Sequence, residues 1–380
     1  MTFPIGAAAT LTELETDPHA LLARLRASEP VSWVPALNGW LVTSHDLAQR
    51  VMRDASTFTV DDPRFSTARV VGPSMLSLDG APHARHRDPF VPPFRPAPVR
   101  ERFTGFVEAE VARLISQLSG GAAELRSSFA GPLAVAVVAD ALGLAGADAA
   151  TVLSWYASIV ESVSAVTAGG TPTADGAAAY AELRAAVART LADGDLHSVL
   201  VAAAHGLTED EVVANAAVLM FGGIDTTEGM INNLVRHLLL SGTAPSSEAV
   251  EESVRLEPAA AVVDRYATAE VSLGGATVRA GDLVIVSIAG ANRDPAVFPD
   301  PDRFDPTRAN VRQNLAFALG PHFCLGARLA RVEAELAARA LFTRLPGLRL
   351  DPDHSHAPRG LVFRKPPALH VRWTPASRTE

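Results

Sequence analysis

Apolar residues recur at helical spacing through most of this chain, and only a few short stretches read as strand. Asp17-Pro18 supplies a cap and a proline at the first helical position, predicting a short helix over Leu21–Ala27. Val31–Val34 and Trp40–Thr43 flank Asn38-Gly39, a hairpin signal, and Ser44–Arg53 returns to helix. Asp61–Leu78 contains proline and glycine without a clear period and reads as loop. Apolar-rich helices are expected at Val107–Leu118 and Leu133–Leu144. Two more, Ala149–Val166 and Asp175–Leu191, are joined by Thr167–Ala174 with Gly169, Gly170 and Pro172. Thr208-Glu-Asp-Glu211 is a capping box, from which helical character runs to Leu240, an element roughly 50 Å long at about 1.5 Å per residue. Ser247–Leu256 reads as helix, Glu270–Leu273 and Leu283–Ile288 as strands, and Arg359–Trp373 as strand-rich. Leu325–Arg344 carries apolar residues at Leu325, Leu329, Val332 and Leu336, again a helical spacing.

Composition narrows the function classes. With 48% hydrophobic residues the 380-residue chain can bury a large core, and a net charge of −9 argues against a nucleic-acid partner. There is no uninterrupted run of about 18 apolar residues, and Met1–Leu14 lacks a basic region followed by an apolar stretch. A soluble, cytoplasmic protein with no membrane partner is expected. No linker, repeat or low-complexity block divides it, so one domain is expected over residues 1–380. Lys365 is the only lysine, among many arginines and alanines, which reads as a GC-rich genome rather than as mechanism.

The candidate chemistry gathers at Phe317–Gly326, F-A-L-G-P-H-F-C-L-G. Cys324 is the only cysteine, which excludes an intrachain disulfide and any multi-thiolate metal site. Gly320 and Gly326 bracket it and Pro321 stiffens the approach, so the backbone is a tight loop entering a helix. At a helix N-terminus the thiolate is favoured, and small neighbours let a flat, bulky group approach. Such a thiolate suits an axial ligand to haem iron. A second centre lies at Gly222-Gly223-Ile224-Asp225-Thr226-Thr227, where two interior glycines cost about 2 kcal/mol relative to alanine. Close helix packing would account for the glycines alone. The added poor helix formers Asp225 and Thr226 point to a functional site. His83 and Arg87 share a helix face, as do Glu252 and Arg255.

Phe317, Gly320, His322, Cys324 and Gly326 resemble the haem-binding loop F-x-x-G-x-H-x-C-x-G of the bacterial cytochrome P450 family. Ala318 departs from the glycine that many members carry there, and no functional consequence is expected. The resemblance extends over essentially the whole chain, with the family's motifs in order. It implies a mainly α protein with a small β region, a single triangular haem-binding domain. Its β-rich parts would lie at about 30–60 and 265–290, its helical core at about 79–256, its haem loop and following helix at 317–344 and a last β segment at 357–375. Cys324 would ligate the iron of haem b, in a loop shaped by Phe317, Gly320 and Gly326. His83, Arg87, Arg265 and His322 would hold the porphyrin carboxylates. Gly222 and Gly223 would leave room beside the iron, Thr226 would hydrogen-bond dioxygen and Asp225 would relay protons. Thr227 reads as a packing residue. Glu252, Arg255 and Arg303 would form a buried structural network behind the loop.

The same resemblance implies that Asp61–Leu78 overlies the substrate, that the helices around Thr167–Ala174 form a lid, and that Ala259–Val263 and Leu361–Phe363 line the pocket. The expected activity is monooxygenation of a small apolar organic molecule, in secondary metabolism, with hydroxylation foremost. Epoxidation, dealkylation or coupling would use the same residues. No flavin or iron–sulfur motif occurs, so electrons from NAD(P)H would arrive through a ferredoxin and its reductase, docking near Arg85, Arg95, Arg328 and Arg331 of a monomer. Two other readings share the loop: a peroxide-driven haem enzyme, which would not need Asp225-Thr226, and a non-catalytic haem sensor or carrier.

Overall fold

A computed structural model describes residues 2–144 and 147–375. In chain order, helix α1 (His19–Ser28) leads into the hairpin β1 (Val31–Val34) and β2 (Gly39–Val42), then α2 (His45–Arg53) and β3 (Phe58–Thr59). Asn38 adopts φ 48° at the hairpin turn, a left-handed conformation that asparagine tolerates better than most residues. Helices α3 (Ser66–Val71), α4 (Gly80–Arg87) and α5 (Thr104–Gln117) follow, then β4 (Ala122–Glu124) and α6 (Gly131–Leu142). The expected Asp61–Leu78 loop therefore contains a helix, α3. Its six residues are too few to carry a readable period.

Helices α7 (Ala149–Thr167) and α8 (Ala174–Asp193) form an antiparallel pair joined by a short turn. Hydropathy averages 1.3 over α7, which by length and composition alone could cross a membrane; here it packs against α8, α3 and α6. Next come α9 (Glu209–Gly223), α10 (Asp225–Ser241) and α11 (Ser247–Leu256). Thr208 and Glu211 form the reciprocal capping box that starts α9. The uninterrupted helix expected from Thr208 to Leu240 is not found, because the element breaks at Ile224 (φ −87°, ψ −75°). The Thr226 hydroxyl donates to the Gly222 carbonyl, the acceptor that an unbroken helix would offer to a backbone amide.

Strands β5 (Val262–Ala267), β6 (Val271–Leu273), β7 (Ala276–Val278) and β8 (Leu283–Ser287) precede the long loop region before helix α12 (Ala327–Arg344). The chain ends with β9 (Arg349–Leu350) and β10 (His370–Arg372). Strand order in the main sheet is β1-β2-β8-β5-β3, antiparallel throughout except where β2 runs parallel to β8 with Trp40 opposite Val284. Apolar residues cover both faces of this sheet: Val42, Val284 and Val286 with Met52 and Phe58 on one, Val34, Leu41 and Ile285 with Leu21 and Leu25 on the other. A far larger core, including Phe103, Phe129, Leu133, Val213 and Leu234, joins α5, α6, α9 and α10 to α12. Burial of each such side chain stabilises the fold by about 1.5–3 kcal/mol.

Candidate active site

The Phe317–Gly326 loop is fixed from several sides. The Cys324 amide donates to the Phe317 carbonyl at 2.8 Å, closing the loop. Gly320 adopts φ +72°, and a Cβ there would stand 2.6 Å from the carbonyl oxygen of Met52 on α2, so both dihedral and space demand glycine. Arg331 places its guanidinium 4.0 Å over the Phe317 ring and pairs with Glu251. Helix α12 starts at Ala327 with Gly326 as its cap, two residues later than the periodicity suggests. Cys324 is partly exposed as a residue, yet the protein packed around its thiol pushes it up. Hydrogen bonds from the Gly326 and Ala327 amides, with Arg87 and Arg331 nearby, oppose that shift. The loop therefore presents a lone sulfur to a helix start and two guanidinium groups.

Four basic side chains gather beside it. His83 on α4 and His322 in the loop have ring centroids 4.4 Å apart. His322 shares a 2.8 Å hydrogen bond with Asp79, whose carboxyl is held at about 2; burial would raise it, but His322, Thr59 and the Val60 amide outweigh that. Arg87 donates to the Phe323 carbonyl, and buried Arg265 on β5 donates to the Asp264 carbonyl at 2.7 Å. Burial lowers both guanidinium groups from their ordinary value. Burial, then His322 and Arg87, brings His83 down to about 4, and its Nε2 is a buried polar atom without a partner among the described residues. An orphaned donor or acceptor of this kind costs about 1–3 kcal/mol. A largely buried group with two guanidinium cations and an unmet imidazole nitrogen is suited to an anionic ligand bearing carboxylates, as haem b does. The residues present fit that group.

Facing the break in the α9–α10 element, a Cβ at Gly222 would meet no atom within 4 Å, so the helix leaves open space there. Gly223 behaves differently: a Cβ there would stand 2.5 Å from Val138 on α6, so this glycine serves close helix packing rather than the room expected of it. Thr227 is buried, in keeping with a packing role. Asp225 is gripped at both oxygens. The Tyr156 hydroxyl on α7 donates to Oδ2 at 2.7 Å, and the Lys365 ammonium donates to Oδ1 at 2.7 Å. Lys365 also lies 2.9 Å from Glu228, which pairs with Arg126. Burial and the Asp225 charge push the Tyr156 phenol far up, so it stays a donor.

Sequence reasoning missed Tyr156, Glu228, Arg126 and Lys365. A lysine unique in the chain was itself a signal, but its partner lies 140 residues away. The expected support network is corrected in one member. Arg255 makes a two-pronged pair with Glu252 at 2.7 and 2.8 Å, fully buried. It is Arg308, not Arg303, whose side chain reaches Glu252, at 3.3 Å. Arg303 is exposed and contributes its backbone carbonyl, an acceptor for Arg255. The two expected pocket-lining segments meet each other: Ala260 bridges Phe363, and the Ala261 amide donates to the Val362 carbonyl at 2.8 Å. Tyr180 on α8 donates to the Val71 carbonyl and Thr167 to Ser66, tying the α7–α8 pair to α3.

Comparison with known proteins matches this sequence and fold to one family. A sequence model described as Cytochrome P450 matches residues 247–366. The chain is 33% identical to Cytochrome P450 monooxygenase PikC of Streptomyces venezuelae, over 95% of this chain and 92% of that one. It is 34% identical to Mycinamicin IV hydroxylase/epoxidase of Micromonospora griseorubida, over 92% and 94%, and 34% identical to Nocardicin C N-oxygenase of Nocardia uniformis subsp. tsuyamanensis, over 94% and 96%. Cytochrome P450 CYP109Q5 from Chondromyces apiculatus superposes with a TM-score of 0.85 at 26% identity, covering 98% of each chain. P450BioI, solved in complex with hexadec-9Z-enoic acid ligated Acyl Carrier Protein, gives 0.84 at 27%, covering 94% of this chain and 99% of that one. The chain belongs to the cytochrome P450 family. It is a haem-dependent monooxygenase of the kind found in bacterial secondary metabolism, using haem b, dioxygen and electrons that originate in NAD(P)H.

Proposed function

We propose that Cys324 would ligate the iron of a haem as a thiolate, that His83, Arg87, Arg265 and His322 would hold its carboxylates, and that Asp225 and Thr226 would carry protons to the reaction. The observation that carries this reading is the largely buried basic group beside Cys324, with His83 Nε2 left without a partner among the described residues. When bound, haem b supplies dioxygen activation with two electrons, so that one oxygen atom enters the substrate and the other leaves as water. The chain's own groups do the rest. The Gly326 and Ala327 amides, with Arg87 and Arg331, stabilise the Cys324 sulfur as a thiolate. Gly222 keeps a space open at the helix break, and the Thr226 hydroxyl, whose one proton is donated to the Gly222 carbonyl, would offer that proton into the space once this bond breaks. Asp225 replaces that proton from solvent.

The expected substrate is a small apolar organic molecule, hydroxylated beneath the lid formed by α7 and α8. Relatives named for mycinamicin IV and nocardicin C support a role in secondary metabolism. Electrons arrive from a ferredoxin and reductase, and the protein acts as a cytoplasmic monomer in one domain. The deciding measurement is the carbon-monoxide difference spectrum of the reduced protein. A strongly red-shifted Soret band in wild type, lost in Cys324→Ser, is expected; the same band in both would refute thiolate ligation by Cys324. Thr226→Ala should keep that band and lose more than half of the product formed per NAD(P)H, the electrons going to peroxide or water. Faster and longer-lived turnover with hydrogen peroxide alone would overturn the ferredoxin reading.

A further inference from the structure

We infer that Asp264 on β5 is a substrate-binding residue, and that the molecule oxidised carries a cationic amine on an otherwise apolar frame. The inference deepens the proposed function. It rests on a haem at Cys324 and on Ala259–Val263 and Leu361–Phe363 as the wall of the substrate space. Asp264 continues that wall by one residue. Side chains alternate along a strand, so Asp264 and Arg265 point to opposite faces of the sheet. The register assigns the faces. Arg265 lies opposite Val284, which packs with Met52, and Asp264 lies opposite Ile285, which packs with Leu21 and Leu25. Val262 and Leu361, one from each expected wall segment, join the Ile285 side and are only half-buried there. Asp264 thus adds a carboxylate to a partly uncovered apolar wall.

That carboxylate has no counter-ion of its own. Among the described residues no hydrogen bond reaches it, and only the more distant charge of Arg265 tempers it. Two guanidinium groups stand near, and neither turns to it. Arg265 donates instead to the Asp264 backbone carbonyl at 2.7 Å and feels Asp79 before Asp264. Arg64 is committed to Asp62, donating from Nε and Nη2 at 2.8 Å each; it also donates to the Gly281 carbonyl and lies 4.5 Å over the Tyr266 ring. Tyr266, two residues along the same face, is pushed up to about 12 by burial, then by Asp264 and Asp62, and stays neutral. Asp264 is exposed, yet the protein packed around its carboxyl raises it from its ordinary value. The two together describe a side chain in a recess rather than on a convex surface. What this carboxylate lacks is a cation, and the chain supplies none. An ammonium brought by the substrate would meet it while the apolar frame covers Val262 and Leu361. The pair would also fix which carbon of the substrate is presented for oxidation.

Calorimetric titration of the haem-loaded protein with decyltrimethylammonium, 1-decanol and decanoate tests this. The quaternary nitrogen has no lone pair, so it cannot ligate iron and only its charge is read. Wild type is expected to bind the ammonium about tenfold or more tighter than the alcohol, a difference of about 1.4 kcal/mol, and the carboxylate weakest. Asp264→Asn should remove that preference, and Asp264→Glu should restore it. Added salt should weaken binding of the ammonium and leave the alcohol unchanged. The carbon-monoxide band of the reduced protein is the control, since it reports Cys324 and the haem rather than Asp264. A red-shifted band in both proteins, with equal ammonium affinity in wild type and Asp264→Asn, overturns the cation site and leaves the haem reading standing. So does a wild type that binds the alcohol as tightly as the ammonium. A band absent from wild type ends both readings. Equal loss of alcohol and ammonium affinity in Asp264→Asn would show a structural role, and Asp264 would not be the residue that selects the substrate.

Discussion

Ala318, expected from sequence to have no functional consequence, is visible in the structure. It adopts φ 56°, in the left-handed region, where a Cβ costs about 1–2 kcal/mol. The family's glycine would relieve that cost, so the departure read from sequence as inconsequential is a strained position within the loop that carries Cys324. Glu333 on α12 is a second buried anomaly. It is 4% exposed, its Oε2 has no partner among the described residues, and burial pushes its carboxyl well above the ordinary value. The folded protein therefore retains this proton after an unfolded glutamate would have lost it near pH 4.5. Stability from this group is present below that pH and falls as pH rises, by up to about 1.4 kcal/mol per unit until the folded carboxyl ionises. Glu333→Gln removes the titration and keeps the shape. Urea unfolding at pH 5 and pH 8 should show the variant gaining on wild type at the higher pH, whereas an equal difference at both would mean that Glu333 is charged in the fold.

Among the elements, those with long periodic patterns were legible and those defined by contact were not. Helix α11 matches its expected range, Ser247–Leu256, and the α7–α8 pair lies within two residues of expectation at each end. The capping box at Thr208 marked the start of α9, but the break at Ile224 was hidden, because a side-chain hydroxyl capturing a carbonyl leaves the apolar pattern unchanged. Gly222 and Gly223 look identical in sequence, yet open space faces one and Val138 the other. The Glu252 network illustrates the same limit. The sequence reading places Arg303 in it, and only the fold of residues 301–308 decides that Arg308, five residues on, turns inward instead. Glu252 is fully buried, and Arg308 also donates to the Pro299 carbonyl, so this arginine ties the loop region to α11. Arg308→Ala should destabilise the protein by about 3 kcal/mol or more, as loss of one partner from a buried ion network does. Arg303→Ala should stay within about 0.5 kcal/mol, as exposed substitutions do. Equal losses in thermal unfolding would restore Arg303 to the network.

At the scale of the whole molecule, one buried polar centre joins parts of the chain that are distant in sequence: Asp79 and His83 near α4, Arg265 on the main sheet and His322 beside Cys324. Before haem binds, this centre makes the fold sensitive to acid in two steps. His83 is lowered to about 4 from 6.5, mainly by burial, so the unfolded chain binds its proton first as pH falls. Stability from its neutral form is complete above pH 6.5 and is lost on the way down to about 4. Asp79, lowered to about 2 from 3.8 by its hydrogen bonds, gives stability that is present above pH 3.8 and lost toward pH 2. Both slopes have the same sign, since the unfolded state binds more protons in each window. Haem-free protein should therefore show a falling urea midpoint from pH 7 to pH 4, and His83→Gln should flatten that limb while Asp79→Asn should not. The haem-loaded protein should behave differently, because carboxylates delivered to His83 and His322 favour their protonated forms and so oppose the upper loss. Identical acid limbs with and without haem would show that these histidines do not face the cofactor, and would detach the basic centre from the reaction altogether.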